Sequence, residues 1–156
     1  MNAKTYLETT IVSYLAALPS RDLLVAAHQQ VTREWWAERD AFDLYISQLV
    51  LDEAAAGDPA AANRRLGLVA GMVLLDLTPE ATVLAKQILD GGALPPRARV
   101  DALHVAVATV HGMKYLLTWN CIHIANAANR DRIGSICLAA GFEPPIICTP
   151  LELAKE

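Results

Sequence analysis

Four polar side chains that could bind a metal ion interrupt apolar segments of the chain: Glu8, Glu53, Asp101 and Asn120. Charged groups in such apolar surroundings are expected to be partly buried, and a buried carboxylate normally needs a partner or a metal. Oxygen ligands of this type select hard cations such as Mg²⁺ or Mn²⁺. Such a cation can activate water and stabilise the charge that builds on a phosphodiester. The four residues therefore predict a metal site that needs no Ser or His nucleophile.

The elements that must position these residues are short apolar strands alternating with helices. We predict strands at 4–7, 44–46, 72–77, 115–118 and 146–148. We predict helices at 9–18, 22–39, 48–56, from 59 towards 71, from 79 to the glycine pair at 91–92, and at 100–111 and 122–140. This alternation predicts parallel strands joined by helical crossovers, hence a three-layer α/β/α domain. In such sheets functional groups gather at the carboxyl ends of the strands, near a topological switch point.

The composition is that of a folded protein with a substantial core. The 156 residues are 54% hydrophobic and 19% charged, which suits a single domain over residues 1–156. The formal net charge of −4 counts against broad phosphate neutralisation. It suits acidic residues that converge on a metal, or a basic partner.

The cysteines and the longest apolar run indicate a reducing compartment and no membrane. The chain has three cysteines and no C-x-x-C pair, so free thiols are expected rather than disulfides. The apolar run at 66–77 is too short to span a bilayer and contains Asp76, so we expect a buried strand or helix there. A cytoplasmic protein is the expectation.

Four segments resemble, in order, those of PIN domains, and most of all those of the VapC-type toxins of type II toxin–antitoxin pairs. They are 6–10 (YLETT), 47–53 (SQLVLDE), 101–106 (DALHVA) and 116–120 (LLTWN). The resemblance covers nearly the whole chain and implies a PIN-like α/β/α fold with a central, mostly parallel sheet of four to five strands. It also implies a Mg²⁺- or Mn²⁺-dependent endoribonuclease that cuts RNA, forms a homodimer and is inhibited by a small cognate antitoxin.

By position, the resemblance assigns Glu8, Glu53 and Asp101 to the first three acidic places of the family, and Asn120 to the fourth. Glu8 departs from the usual Asp by one methylene group. Asn120 departs further, because an amide oxygen can ligate a metal but supplies no negative charge. Three carboxylates instead of four favour one firmly bound metal.

Structural roles compete with some of these assignments. Asp101 could complement the positive end of a helix, an effect worth about 0.3–1 kcal/mol. Glu53 lies beside Asp52, and adjacent helical residues point about 100° apart. Only one of the two can face the cleft, and the resemblance selects Glu53, with Asp52 as the alternative.

The hydroxyl and histidine residues near the site also have two interpretations. Thr9, Thr10 and Ser13 are expected to cap their helix, while Thr10 and Thr118 could also bond the metal ligands. His104 lies on the face of Asp101, and a hydrogen-bonded core histidine is expected in preference to a catalytic one. Cys121 and His123 are too isolated for a zinc site. The arginine candidates for phosphate contacts are Arg97, Arg99, Arg64, Arg65, Arg130 and Arg132.

Two other functions remain as alternatives. A catalytically weak or inactive PIN-like module could act as a binding or regulatory partner, and Glu8 and Asn120 are the departures that favour it. A phosphatase or hydrolase of another doubly wound family would also use carboxylates and Mg²⁺. The early D-x-D signature expected there is missing, because the first strand ends in Glu-Thr-Thr.

Overall fold

Five strands alternate with seven α-helices in the computed structural model, which describes residues 2–153. The strands are β1 (Ala3–Leu7), β2 (Phe42–Ser47), β3 (Val73–Leu75), β4 (Tyr115–Leu117) and β5 (Ile146–Cys148). The helices are α1 (Thr9–Ala16), α2 (Leu23–Ala37), α3 (Gln48–Ala54), α4 (Pro59–Val69), α5 (Pro79–Asp90), α6 (Arg99–Val110) and α7 (Ala127–Ala139). A 3₁₀ turn at Arg39–Ala41 leads into β2.

The strands form one sheet in the order β3-β2-β1-β4-β5, and every neighbouring pair is parallel. Strand β1 lies in the middle, where Tyr6 pairs with Tyr45 on one side and with Leu116 on the other. Because β2 and β3 extend the sheet in one direction and β4 and β5 in the other, the topological switch point lies between β1 and β4. The predicted α/β fold with a parallel sheet of four to five strands is confirmed.

The helices pack in two groups, as expected for layers on the two faces of the sheet. Helix α1 contacts α2, α3 and α4, whereas α5 contacts α6 and α7. This division follows from right-handed crossovers, which change face when the direction of sheet growth reverses. With both faces covered, the carboxyl-terminal parts of the two central strands are apolar: Tyr6, Leu7, Leu116 and Leu117 are all fully buried.

Capping side chains fix where several helices begin. Asp22, Asp58 and Thr78 each accept a hydrogen bond from the backbone N–H three residues ahead. Pro59 and Pro79 occupy the first helical position, where their missing N–H costs nothing. The predicted helix start at residues 78–80 is therefore confirmed.

The helix predicted at 122–140 begins only at Ala127. Two asparagines explain the difference, because the side chain of Asn120 takes a backbone N–H of the segment before the helix and that of Asn126 caps the helix itself. Asn120 Oδ1 accepts from the N–H of His123 at 3.0 Å, and Asn126 Oδ1 accepts from that of Ala128 at 2.9 Å. The bond to Asn120 competes with helix formation, so residues 121–125 form turns, and the cap by Asn126 starts the helix at Ala127.

The apolar run at 66–77 is divided between two elements. Its first part ends α4, where Val69 is buried, and its later part contains β3, where Leu75 is buried. Gly71, at φ +80°, makes the turn between them. Within residues 2–153, no helix is long and apolar enough to cross a membrane.

Two glycine-to-alanine substitutions are expected to change stability in opposite directions. A Cβ atom on Gly91 would lie 2.6 Å from Cδ1 of Ile136 and 3.0 Å from the backbone oxygen of Gln87. We therefore expect Gly91→Ala to lower the free energy of unfolding by about 1–3 kcal/mol, as overpacking does.

Gly67 lies within α4, and a Cβ atom there would meet nothing within 4 Å. Gly67→Ala should therefore raise the free energy of unfolding by up to ~1 kcal/mol. Urea unfolding measures both, and equal effects would contradict the close contact at Gly91.

Candidate functional site

Glu8 lies at the switch point of the sheet. It follows β1 directly, and its backbone N–H donates to the carbonyl oxygen of Leu117 on β4 at 3.1 Å. The residue is only 3% exposed. No Lys, Arg or His nitrogen within the described part of the chain forms an ion pair with its carboxylate. A buried acid without a cationic partner is costly when ionised.

Two threonine hydroxyls hold one oxygen of this carboxylate. Thr10 and Thr118 donate to Glu8 Oε1 at 2.5 and 2.6 Å. Each hydroxyl oxygen also accepts a backbone N–H from the loop after β4, Thr10 from Trp119 at 2.8 Å and Thr118 from Asn120 at 2.9 Å. Since the N–H groups can only donate, the hydroxyl protons are left to point at Glu8. The expected bonds from Thr10 and Thr118 are therefore present.

The expectation that Thr9, Thr10 and Ser13 cap α1 is wrong. Glu8 is the N-cap residue of this helix, and no side chain makes a capping hydrogen bond there. The hydroxyls of Thr9 and Thr10 donate instead to carboxylates, that of Thr9 to Glu53. Thr9 and Thr10 follow the N-cap residue and lie inside the first turn of α1, so their hydroxyls do not occupy the position from which a side chain caps the helix.

Glu53 faces the same site from α3, whereas Asp52 turns away from it. Glu53 Oε1 accepts from Thr9 Oγ1 at 2.7 Å and lies 2.5 Å from His104 Nε2. Asp52 accepts instead from Gln48 on the exposed side of the helix. The structure thus places Glu53 rather than Asp52 beside Glu8.

His104 is the residue through which α6 reaches this site. It is fully buried, and its Nδ1 lies 2.7 Å from the hydroxyl oxygen of Tyr6. Tyr6 in turn contacts the hydroxyl of Ser47 at 2.7 Å. The expected hydrogen-bonded core histidine is confirmed, but its second nitrogen meets Glu53, a contact that the sequence did not reveal.

Glu8, Glu53 and His104 form a group whose potential ligand atoms all lie within 4.8 Å of one another. Burial raises the pKa of Glu8, and the charge of His104 with the hydroxyls of Thr10 and Thr118 only partly offsets it. Burial also acts to raise the pKa of Glu53, but the hydrogen bond and charge of His104, helped by Thr9, lower it overall. Glu53 is therefore the readily ionised acid, and Glu8 is the one that a cation would have to stabilise.

Asp101 does not belong to this close group. It is the third residue of α6, and its Oδ2 pairs with Nδ1 of His123 at 2.8 Å. The N-cap residue Ala98 makes no side-chain capping bond. An acid in the first turn complements the helix dipole, so the structural role foreseen for Asp101 is compatible with its position. A metal-binding role for it stays a prediction.

Asn120 connects the two parts of the site. Its backbone N–H donates to Thr118, which bonds Glu8, and its side-chain oxygen accepts from the N–H of His123. Asn129 donates to the carbonyl oxygen of His123 at 3.0 Å. His123 is thus held between two asparagines, with its ring against Asp101. The neutral-ligand role of Asn120 stays a prediction, and its oxygen has one lone pair engaged.

Sequence reasoning missed the roles of His104, His123 and Thr9. The sequence contained part of this information. Tyr6 and Glu8 are two residues apart, so their side chains point to the same side of the sheet, and His104 follows Asp101 by nearly one helical turn. Strand and helix periodicity show which residues share a face. They do not show that α3 and α6 approach each other closely enough for Glu53 and His104 to meet.

Some of the candidate phosphate-binding arginines form hydrogen bonds within the protein, and others form none in the described part of the chain. Four of them bond backbone carbonyl oxygens: Arg64, Arg65, Arg130 and Arg132. Arg97 and Arg99 are exposed beside the start of α6, and no acceptor in residues 2–153 bonds their side chains. These two remain the stronger candidates for contacts with a phosphate backbone.

The chain matches no protein-family model and no curated protein.

Proposed function

We propose that this protein is a divalent-metal-dependent endoribonuclease of the PIN-domain type. Its metal would be held by Glu8, Glu53 and Asp101, with Asn120 as a neutral ligand. The proposal is supported by the buried carboxylate of Glu8 at the switch point of a parallel sheet, where such folds bind their ligands, and by the four ordered segments that resemble PIN domains.

One observation carries the proposal: side-chain hydrogen bonds engage a single oxygen of each acid. They reach Oε1 of Glu8, Oε1 of Glu53 and Oδ2 of Asp101. Within residues 2–153, no side-chain donor bonds the second oxygen of any of the three. An acid anchored through one oxygen can present the other to a cation in a fixed orientation, as the supported ligands of metal sites do.

The residues present fit a hard cation. The donors are carboxylate and amide oxygens, which Mg²⁺ and Mn²⁺ prefer, and buried Glu8 forms no ion pair with a basic side chain among residues 2–153. When bound, the cation would supply an activated water and stabilise charge on the scissile phosphate. The chain itself would orient the three acids, and Arg97 and Arg99 would contact the RNA backbone beside Asp101.

The same proposal extends to partners and location. As a VapC-type toxin, the protein would be cytoplasmic, would form a homodimer and would be inhibited by a small cognate antitoxin. The net charge of −4 supports a basic antitoxin segment as the partner, because opposite charge speeds association and favours the correct partner.

An inactive PIN-like binding module is the second candidate. Asn120 favours it, because it stands where the family has a fourth acid and its side-chain oxygen already accepts the N–H of His123. Such a module would keep the fold and could keep metal affinity, but it would not cut RNA.

Cleavage of structured RNA by the partner-free protein in Mn²⁺ tests the proposal. We expect Glu53→Gln and Asp101→Asn to slow cleavage at least ~100-fold, equivalent to about 2.7 kcal/mol of transition-state stabilisation. Both substitutions keep the shape of the side chain and an oxygen that can accept the bonds described above. Asp52→Asn is the matched control, because Asp52 is the adjacent acid that bonds Gln48 instead.

Three outcomes separate the candidates. Loss of cleavage in Glu53→Gln and Asp101→Asn, with normal cleavage in Asp52→Asn, supports the nuclease. Parent protein that binds Mn²⁺ but leaves RNA intact favours the inactive module. Unchanged cleavage in both site variants would show that these acids are not the catalytic ones.

A further inference from the structure

A chain of buried hydrogen bonds runs from the sheet to the exposed edge of the candidate site. Ser47 on β2 contacts Tyr6 on β1 at 2.7 Å, Tyr6 contacts His104 Nδ1 at 2.7 Å, and His104 Nε2 contacts Glu53 at 2.5 Å. Tyr6 and His104 are fully buried and Ser47 is 1% exposed, whereas the side chain of Glu53 is 41% exposed. This series of hydrogen bonds therefore starts in the core and ends on a carboxylate that is accessible to water.

A role in folding alone does not explain why this series of hydrogen bonds ends on Glu53. Buried polar groups need partners, and Tyr6 and Ser47 already satisfy each other. A core histidine could direct its second nitrogen at a backbone carbonyl, as Thr32 and Thr109 direct their hydroxyls within their own helices. His104 directs Nε2 instead at the acid beside Glu8, on a different helix.

We infer that His104 is a positioning residue for Glu53. Its Nε2–H holds Oε1 of Glu53 so that Oε2 faces the cation site, while Tyr6 and Ser47 fix the plane of the imidazole ring. The inference rests on the proposed function, since the acid that His104 positions is a proposed metal ligand.

The donors and acceptors in this series of hydrogen bonds are consistent with a positioning role for His104. An ionised carboxylate only accepts hydrogen bonds, so the proton between His104 and Glu53 belongs to Nε2. A neutral ring then accepts at Nδ1 from Tyr6, and Ser47 donates to Tyr6. A cationic ring donates from Nδ1 to Tyr6, and Tyr6 donates to Ser47. Both hydroxyls serve in either direction, so the ring stays anchored in both states.

Glu53 depends on this anchor because little else holds it. Its only other side-chain donor in the described residues is Thr9, and its side chain is accessible to water. Without His104, the flexible glutamate side chain would sample solvent-facing rotamers. Loss of a partner that orients a metal ligand typically weakens metal affinity about 10–100-fold.

Two amide substitutions at residue 104 separate the two nitrogens of the ring. Glutamine places its amide near the position of Nε2 and can still donate to Glu53, whereas asparagine places its amide near Nδ1 and reaches only Tyr6. We expect His104→Asn to weaken Mn²⁺ binding about 10–100-fold, and His104→Gln to bind closer to wild type. Calorimetry measures the affinity, and thermal unfolding in EDTA shows whether each variant is folded.

Tyrosine substitutions provide a milder test in case His104→Asn does not fold. Tyr6→Phe leaves the donor to Glu53 in place but removes the anchor of the ring, so a smaller loss of Mn²⁺ affinity is expected. Tyr45→Phe is the matched control, because Tyr45 lies on the neighbouring strand β2 and its hydroxyl makes no hydrogen bond within residues 2–153. It should bind Mn²⁺ as wild type does.

The failures of the inference and of the proposed function are distinguishable. Wild-type affinity in both His104→Asn and Tyr6→Phe would overturn the positioning role and leave the nuclease proposal standing. Histidine nitrogen coupling in pulsed EPR of the wild-type Mn²⁺ complex, lost in His104→Gln, would make His104 a direct ligand and would also overturn the inference. Wild-type protein that binds no Mn²⁺ would overturn the proposed function and the inference together.

Discussion

Replacing Glu8 with glutamine is expected to stabilise the metal-free protein and to abolish its stabilisation by Mn²⁺. Burial raises the pKa of Glu8 above its ordinary value, so ionising this acid in the folded state costs free energy. A glutamine at this position carries no charge, and its side-chain oxygen can still accept the hydroxyls of Thr10 and Thr118. The variant thus removes the cost of the buried charge and keeps the hydrogen bonds.

The stabilisation of the metal-free protein by Glu8→Gln should depend on pH. Below the ordinary carboxyl value of 4.5, Glu8 is protonated in both the folded and the unfolded chain, so wild type and Glu8→Gln should differ little. As pH rises above that value, the unfolded chain ionises first and wild type loses stability, until pH passes the raised pKa of the folded state. The advantage of Glu8→Gln should therefore grow from pH 4.5 towards neutrality.

Thermal unfolding in EDTA across this pH range measures the difference, with each kcal/mol shifting the midpoint by about 2–4 °C. Adding Mn²⁺ at about 100 times its Kd should then stabilise wild type by about 2.7 kcal/mol and leave Glu8→Gln unchanged. Glu143→Gln, at an exposed residue, is the control that should follow wild type throughout. A Glu8→Gln protein less stable than wild type in EDTA at neutral pH would contradict the buried, unpaired carboxylate.

The sequence carries enough local information for the fold and for the position of Glu8. The strands are short apolar runs, helices start at residues such as Thr78 and Pro79 that suit the first turn, and glycines follow several helix ends. An acid at the end of an apolar strand interrupts the apolar pattern. Glu8 could therefore be singled out before its burial was known.

The contacts that orient the acids could not be predicted, because they join residues far apart in the chain. Glu53 and His104 lie on α3 and α6, and Asp101 and His123 lie on α6 and in the loop after β4. Helical periodicity gives the face on which a residue lies, but not the distance between two helices. Residues 121–125 were predicted as helix but form turns, because the side chain of Asn120 takes the N–H of His123 and α7 starts only after its cap Asn126.

Trp119 joins the loop after β4 to the first two helices. Its backbone N–H donates to Thr10, and its indole Nε1–H donates to the hydroxyl of Thr32 at 2.7 Å. The indole ring stacks on His28 with ring centroids 4.0 Å apart and lies 5.9 Å from the ring of Tyr14. Since Trp119 stands between Thr118 and Asn120, the packing of one buried ring sets the position of the backbone that supports Glu8.

Trp119→Ala is therefore expected to be the most destabilising single substitution near the site. Removing a buried tryptophan side chain costs about 3–5 kcal/mol, and each kcal/mol lowers the midpoint of unfolding by about 2–4 °C. Trp119→Phe keeps an aromatic ring against His28 and loses the bond to Thr32, so a smaller loss of stability is expected.

Trp36→Ala is the matched control, because Trp36 is only partly buried. At a temperature where all variants are folded, Mn²⁺ affinity should fall in Trp119→Ala and stay unchanged in Trp36→Ala. If Trp36→Ala proved the more destabilising of the two, the stack would not be what holds this loop in place.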